Sequence, residues 1–243
     1  IAKINGISIA YVTAGEEENP PVLMIMGLVA SHKVWGEKIV NGLIDDGYRV
    51  ILFDNRDTGN SEKLDELGKP NLYWKYFLYS LGFGFGAPYT LEDMADDGVE
   101  LLDHLQIDKA HIIGASMGGM IAQIIASKYP ERTSSLVSLM SSPRIPKVSE
   151  ISDKNQENLR NMENVEAKSA QDYGFYPRAL PRQLTAIFRA GDRSDIVSNI
   201  AVPTLVLHGE EDTLLPVKYG KLTAELIPNL SLIHISEPTR QLC

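Results

Sequence analysis

The sequence predicts an α/β fold: a mostly parallel central sheet with helices on both faces. Three observations carry this expectation. The run at 22–26 is apolar throughout, and 49–53 and 110–114 read as two further buried strands, the pattern of strands buried on both faces of a parallel sheet. Helix-patterned segments alternate with these runs and with further strands at 133–140 and 204–208, which is the order that builds βαβ units. The chain has 243 residues, 44% of them hydrophobic, enough for one large core carrying a small insertion.

The elements follow in order. Residues 1–4 and 7–13 read as two strands around Asn5-Gly6, a pair that accepts the positive φ of a tight hairpin. Residues 16–21 form a polar turn, and the run 22–26 ends at Gly27. Ser31 is placed to cap a helix over 33–46 that Gly47 ends. Residues 54–61 are polar and turn-rich. The stretch 62–89 gathers Tyr73, Trp74, Tyr76, Phe77, Tyr79, Phe83 and Phe85 among Gly82, Gly84 and Gly86, and reads as an irregular aromatic excursion. Thr90-Leu91-Glu92-Asp93 is a capping box, and Met94, Val99, Leu101, Leu102 and Leu105 follow with helical spacing. A helix over 117–128 stops before Pro130. Residues 144–172 are polar and break the alternation. Helices then read at 180–189, closed by Gly191, and at 217–226. This divides the chain into a core (1–142 and 183–229), a short helical lid (143–182) and a tail (230–243).

Composition excludes several roles. Lys+Arg number 23 against 32 Asp+Glu, for a net charge of −9. Such a surface repels phosphate backbones, so no nucleic-acid partner is expected. The one cysteine is Cys243. No internal disulfide or cysteine zinc site is possible, which suits a reducing, cytoplasmic setting. No apolar run reaches the roughly 20 residues of a membrane span, so no membrane partner is expected. Residue 1 is Ile rather than Met. The N-terminus reads as cut, so a leader stays possible.

The chemistry centres on Gly114-Ala115-Ser116-Met117-Gly118-Gly119, between a strand and a helix. Gly-x-Ser-x-Gly in that setting is a nucleophile elbow. The turn is so tight that the flanking positions must lack side chains, and the serine is pushed into strained φ/ψ with its hydroxyl exposed. The helix start offers unpaired N–H groups and the positive dipole end to a developing oxyanion. Ser116 is therefore the candidate nucleophile and Met117 N–H one oxyanion donor. Leu28 N–H is the second donor, with Gly27 letting the backbone come close. The spacing fits neither GxGxxG nor a P-loop. The acid is expected after a later strand, and His208-Gly209-Glu210-Glu211-Asp212 follows 204–207. Asp212 takes that role, orienting the base and stabilising its cation. Glu210 and Glu211 read as solvated turn charges. Asp54 reads as a turn-maker bonded to backbone N–H groups. Trp35 and the aromatic stretch 73–85 are candidate pocket walls for an apolar or aromatic substrate, with plain packing as the alternative.

These residues resemble the α/β-hydrolase superfamily, and within it the aclacinomycin methylesterase-like serine hydrolases. The resemblance rests on VLMIMGLVASHKVW, VILFDNRDTGNS, YTLEDMADDGVELLDHLQIDKAHIIGASMGGMIAQ, GFYPRALPRQLTAIFRAGD and VPTLVLHGEEDTLLPV, and runs to about residue 229. It implies an α/β-hydrolase fold and ester hydrolysis through an acyl-enzyme on Ser116 and Asp212, with Leu28 and Met117 as donors. A small-molecule ester is the implied partner, and no cofactor or metal is implied. Alternatives on the same scaffold are carbon–carbon bond hydrolysis, cofactor-free perhydrolysis, or a non-catalytic ligand-binding protein. The lid is shorter than the family's.

A triad also needs a histidine after the acid. The family pattern places it near position 240, where this chain has Arg240. His234 lies inside the SLIHI run, which reads as the strand before that loop. His208 reads as structural, His104 lies on the helix after Thr90, and His111 begins a strand. His32 precedes the serine and is read as lacking a partner acid. Residues 230–240, LSLIHISEPTR, resemble a one-frame translation of a transposon-end sequencing adapter. The expectation is that native sequence stops near 229, that the last strand, histidine loop and helix are truncated, and that the chain as it stands is nearly inactive.

Overall fold

The structure is a computed structural model. It describes residues 1–145, 173–212, 214–228 and 230–236, the last six by backbone alone. Strands β1 (Ala2–Ile4) and β2 (Ile7–Ile9) pair antiparallel around Asn5 and Gly6, whose φ values are 48° and 82°. The expected single run 7–13 is two strands. Ala10 donates its N–H to Ser61 Oγ (2.9 Å) and accepts from Asp54 N–H (2.9 Å). The chain thereby changes partners, and β3 (Tyr11–Ala14) joins a second sheet.

That sheet has the order β3-β5-β4-β6-β7-β8-β9, with β4 Pro21–Ile25, β5 Arg49–Phe53, β6 Ala110–Ala115, β7 Thr133–Leu139, β8 Thr204–Gly209 and β9 Leu230–Ser236. Only the edge pair β3–β5 is antiparallel. The doubly apolar strands behave as expected. Leu23, Ile25, Ile51, Phe53 and Ile112 face one core, and Val22, Met24, Val50 and Leu52 face the other. Period-2 alternation thus fills both faces with hydrocarbon.

The first core is covered by α3 (Leu91–His104), α4 (Met117–Lys128), α5 (Leu180–Ala190), α6 (Ser194–Ser198) and α7 (Lys218–Leu226), each contributing to it. Thr90 and Asp93 make the reciprocal capping box at the start of α3. The second core is covered by α1 (Glu37–Asp45) and the turn before it. The expected helix 33–46 is two pieces. Ser31 caps a 3₁₀ turn, His32–Trp35, and Gly36 at φ 72° breaks the path before α1. The aromatic excursion contains a helix, α2 (Leu72–Ser80), whose Asn71 cap accepts from Trp74 N–H. Tyr76 and Tyr79 pack on Phe188 of α5, while Tyr73 is 87% exposed. Most of the expected lid, 143–182, lies outside the described residues. Among the described residues no helix is long and apolar enough to cross a membrane.

Candidate active site

Parallel β4, β6 and β8 send their following loops to the same edge of the sheet, and β4 and β6 are neighbours. Three predicted site segments therefore lie along one rim: 26–29 after β4, Ser116 after β6, and 210–212 after β8.

Ser116 has φ 55° and ψ −119°, a region that costs a non-glycine residue of order 1–3 kcal/mol. The surroundings hold it there. Its N–H donates to Leu139 O (2.9 Å), and its carbonyl accepts from Gly119 N–H, Met120 N–H and Ser141 Oγ. A Cβ on Gly114 would stand 2.2 Å from Gly118 O, and one on Gly118 would stand 2.1 Å from Ile25 O. These two glycines are therefore obligatory, as the elbow motif requires. Met117 is the first residue of α4, so its N–H has no intrahelical carbonyl to bond. It is 1% exposed.

Gly27 is buried against the elbow: a Cβ there would lie 3.1 Å from both Ala115 O and Ser116 Cβ. Leu28 follows it, half-buried. The loop that carries Leu28 is therefore in contact with the serine's own turn. Trp35, the other predicted wall, is 1% exposed and packs with Met26, Ala30 and Ala115 in the second core. Two surface depressions, one lined by Asp65 and Arg182 and one by Lys69 and Pro88, are not lined by Gly27, Leu28, Trp35, Ser116, Met117 or Asp212.

Asp212 sits in a tight turn after β8. Its Oδ1 accepts from Leu214 N–H and Leu215 N–H, both at 2.9 Å. Among the described residues Oδ2 accepts no hydrogen bond and lies 3.7 Å from His208 Nε2. His208 is buried and donates from Nε2 to Leu215 O (2.6 Å), because a carbonyl can only accept. It braces the turn from beneath.

The reading of His32 as lacking an acid is overturned. Its Nδ1 lies 2.7 Å from Asp54 Oδ1, and its N–H donates to the same oxygen at 2.8 Å. Asp54 is fully buried, and its Oδ2 accepts from Asn60 N–H. Burial pushes the Asp54 carboxyl up, yet the His32 and Asn60 hydrogen bonds outweigh burial and hold it below the usual carboxylate range. Sequence inspection missed this pair because 22 residues separate its members. Asp54 is the turn-maker expected, with an imidazole as an additional partner.

His104 and His111 also have partners, Tyr11 Oη at 3.4 Å and Ser135 Oγ at 2.8 Å. His234 lies in β9, opposite Leu207 of β8 in the strand register. Its side chain is outside the described residues. Among the described residues no hydrogen bond joins Ser116 Oγ to an imidazole.

A family model described as the alpha/beta hydrolase fold matches residues 20–186. Rhodomycin D methylesterase of Streptomyces peucetius is 32% identical over 126 residues, 52% of this chain and 36% of that protein. The 3-oxoadipate enol-lactonase 2 of Acinetobacter baylyi is 29% identical over 131 residues, 54% of this chain and 40% of that protein. The matched stretch is thus well under half the length of either relative. A solved enol-lactonase from Burkholderia xenovorans superposes with a TM-score of 0.73 at 20% identity, covering 97% of this chain and 90% of that one.

Proposed function

Because this chain belongs to the α/β-hydrolase fold family, we propose that it is a serine hydrolase of carboxylic esters acting through an acyl-enzyme. The observation that carries this reading is the strained Ser116, held between two obligatory glycines with the Gly27-Leu28 loop against it. Ser116 Oγ attacks the ester carbonyl. An imidazole takes its proton and returns it to the leaving alcohol, oriented by the Asp212 carboxylate. Leu28 N–H and Met117 N–H hold the oxyanion, and water then releases the acyl group. The methylesterase and enol-lactonase relatives, by their names, cleave an ester and a lactone, which is the same bond chemistry.

A second reading concerns rate. The four histidines with described side chains each have a partner other than Ser116. Among the described residues no imidazole hydrogen-bonds Ser116; a serine hydroxyl without a base is a weak nucleophile, and loss of a triad member leaves only roughly 10³–10⁴-fold catalysis over water. We expect slow turnover by this chain, accelerated by added imidazole. The test is acylation by p-nitrophenyl acetate, followed by nitrophenolate release and intact mass, with Ser116→Ala as control. An adduct on Ser116 that forms faster in imidazole supports both readings. Fast turnover indifferent to imidazole overturns the second. Equal reaction of Ser116→Ala overturns the first.

A further inference from the structure

The loop carrying Leu28 has no regular secondary structure, so its backbone groups need other partners. They are supplied from far away in sequence. Asn55 Nδ2 donates to Met26 O at 2.8 Å. Val29 N–H donates to Gln183 Oε1 at 2.7 Å, and Tyr176 N–H donates to Val29 O at 3.0 Å. Leu28 is therefore gripped on both sides. Val29 itself stands at φ 52°, an uncommon place for a β-branched residue. Such a conformation persists only where neighbours over-determine it.

Gln183 is the most committed of these neighbours. It lies on α5, 154 residues from Val29, and is fully buried. A backbone N–H can only donate, so the carboxamide must present its oxygen to Val29. The amide nitrogen then faces Arg56 O at 3.5 Å. The preceding residue roots the helix: Arg182 binds Asp57 through Nε and Nη2 and Gly68 O through Nη1. Adjacent side chains of one helix thus grip two different loops, and the anchor that Arg182 makes fixes where Gln183 reaches.

We propose that Gln183 is a positioning residue of the oxyanion hole: by accepting the Val29 N–H it holds the Gly27–Val29 turn so that Leu28 N–H points at the oxygen of the reacting carbonyl. This rests on the reading of Ser116 as nucleophile. Gln183 touches no substrate; it acts through Val29. Removing one oxyanion donor outright costs about 10²–10³ in rate, and misaiming it costs part of that.

The test compares Gln183→Met, which keeps the length and loses the acceptor, with Gln183→Glu, which keeps an acceptor oxygen. Single-turnover acylation of the full chain is followed in imidazole buffer with a p-nitrophenyl ester and its thionoester. Sulfur accepts hydrogen bonds poorly, so the thionoester gains little from the oxyanion donors. Gln183→Met should slow ester acylation roughly 10–100-fold with KM nearly unchanged, and slow the thionoester far less. Gln183→Glu should recover most of the ester rate. The ratio of the two substrates is independent of how much variant is folded. Equal slowing of both substrates, or no slowing of the ester, overturns the proposal. If Ser116→Ala acylates as fast as the parent, the nucleophile assignment falls and this inference falls with it.

Discussion

Replacing Ser116 by glycine should make the protein more stable than replacing it by alanine. The reasoning needs only backbone geometry. Ser116 sits at φ 55° and ψ −119°, where a Cβ costs of order 1–3 kcal/mol. Both variants remove the hydroxyl, which makes no hydrogen bond among the described residues, so that loss cancels between them. Alanine keeps the Cβ and its strain. Glycine removes the strain but adds about 0.4–1 kcal/mol of unfolded-state entropy. The difference is then about 1 kcal/mol in favour of glycine. In a domain of this size that moves Tm by roughly 2–4 °C. Urea and thermal melts at pH 7 of Ser116→Gly and Ser116→Ala measure it directly. If Ser116→Gly melts at or below Ser116→Ala, the elbow stores no strain and the argument from its backbone fails.

Three further outcomes are expected. Gly118→Ala should cost more than about 3 kcal/mol, because its Cβ meets the backbone at Ile25 and Met26 rather than a movable side chain; Gly84→Ala, which meets nothing within 4 Å, should stay within about 0.5 kcal/mol in the same denaturation series. Arg182→Met should cost about 3–5 kcal/mol by leaving the buried Asp57 carboxylate without its cation, and adding Asp57→Asn should restore part of that loss. The Asp54 carboxyl titrates below its ordinary value, so the stability it lends is present above about pH 4, its unfolded value, and is lost as pH falls through the lower native value. The gap between parent and Asp54→Asn should therefore narrow below pH 4 in melts from pH 7 to 2, and a gap independent of pH would contradict the His32–Asp54 arrangement.

Much of the fold was legible because its signals are local. Strand runs apolar on both faces, the Thr90–Asp93 box and the elbow glycines each state their own geometry within six residues. The misreadings arose where tertiary partners decide. Nothing within residues 7–13 says that Ala10 will hand the chain from one sheet to another, because Ser61 and Asp54 do so. Aromatic crowding hid α2, whose apolar residues belong to two faces, one on Phe188 and one in solvent. Gln183 gave no signal at all. A buried glutamine in an amphipathic helix reads as surface until the strained Val29 that it serves is in place.

This difference in origin also bears on how the candidate site fails. Ser116 is enforced by contacts within its own elbow and the adjacent β4 end, so it survives any change that leaves β4, β6 and α4 packed. Asp212 is fixed by its own turn, through Leu214 and Leu215 N–H and the His208 brace. The Leu28 donor depends on Asn55 and Gln183, which lie 29 and 154 positions from the Met26 and Val29 they hold, so it is the part most exposed to changes elsewhere. The imidazole is the extreme case. Histidines at 32, 104, 111 and 208 each have one ring nitrogen engaged elsewhere, and among the described residues none of them hydrogen-bonds Ser116. The proposed nucleophile and acid can therefore stay preorganised with no imidazole on Ser116 among the described residues, and added imidazole is the perturbation that separates a site lacking only its base from one whose oxyanion loop is also out of place. In the first case imidazole restores ester acylation in the parent and leaves Gln183→Met behind; in the second it restores neither.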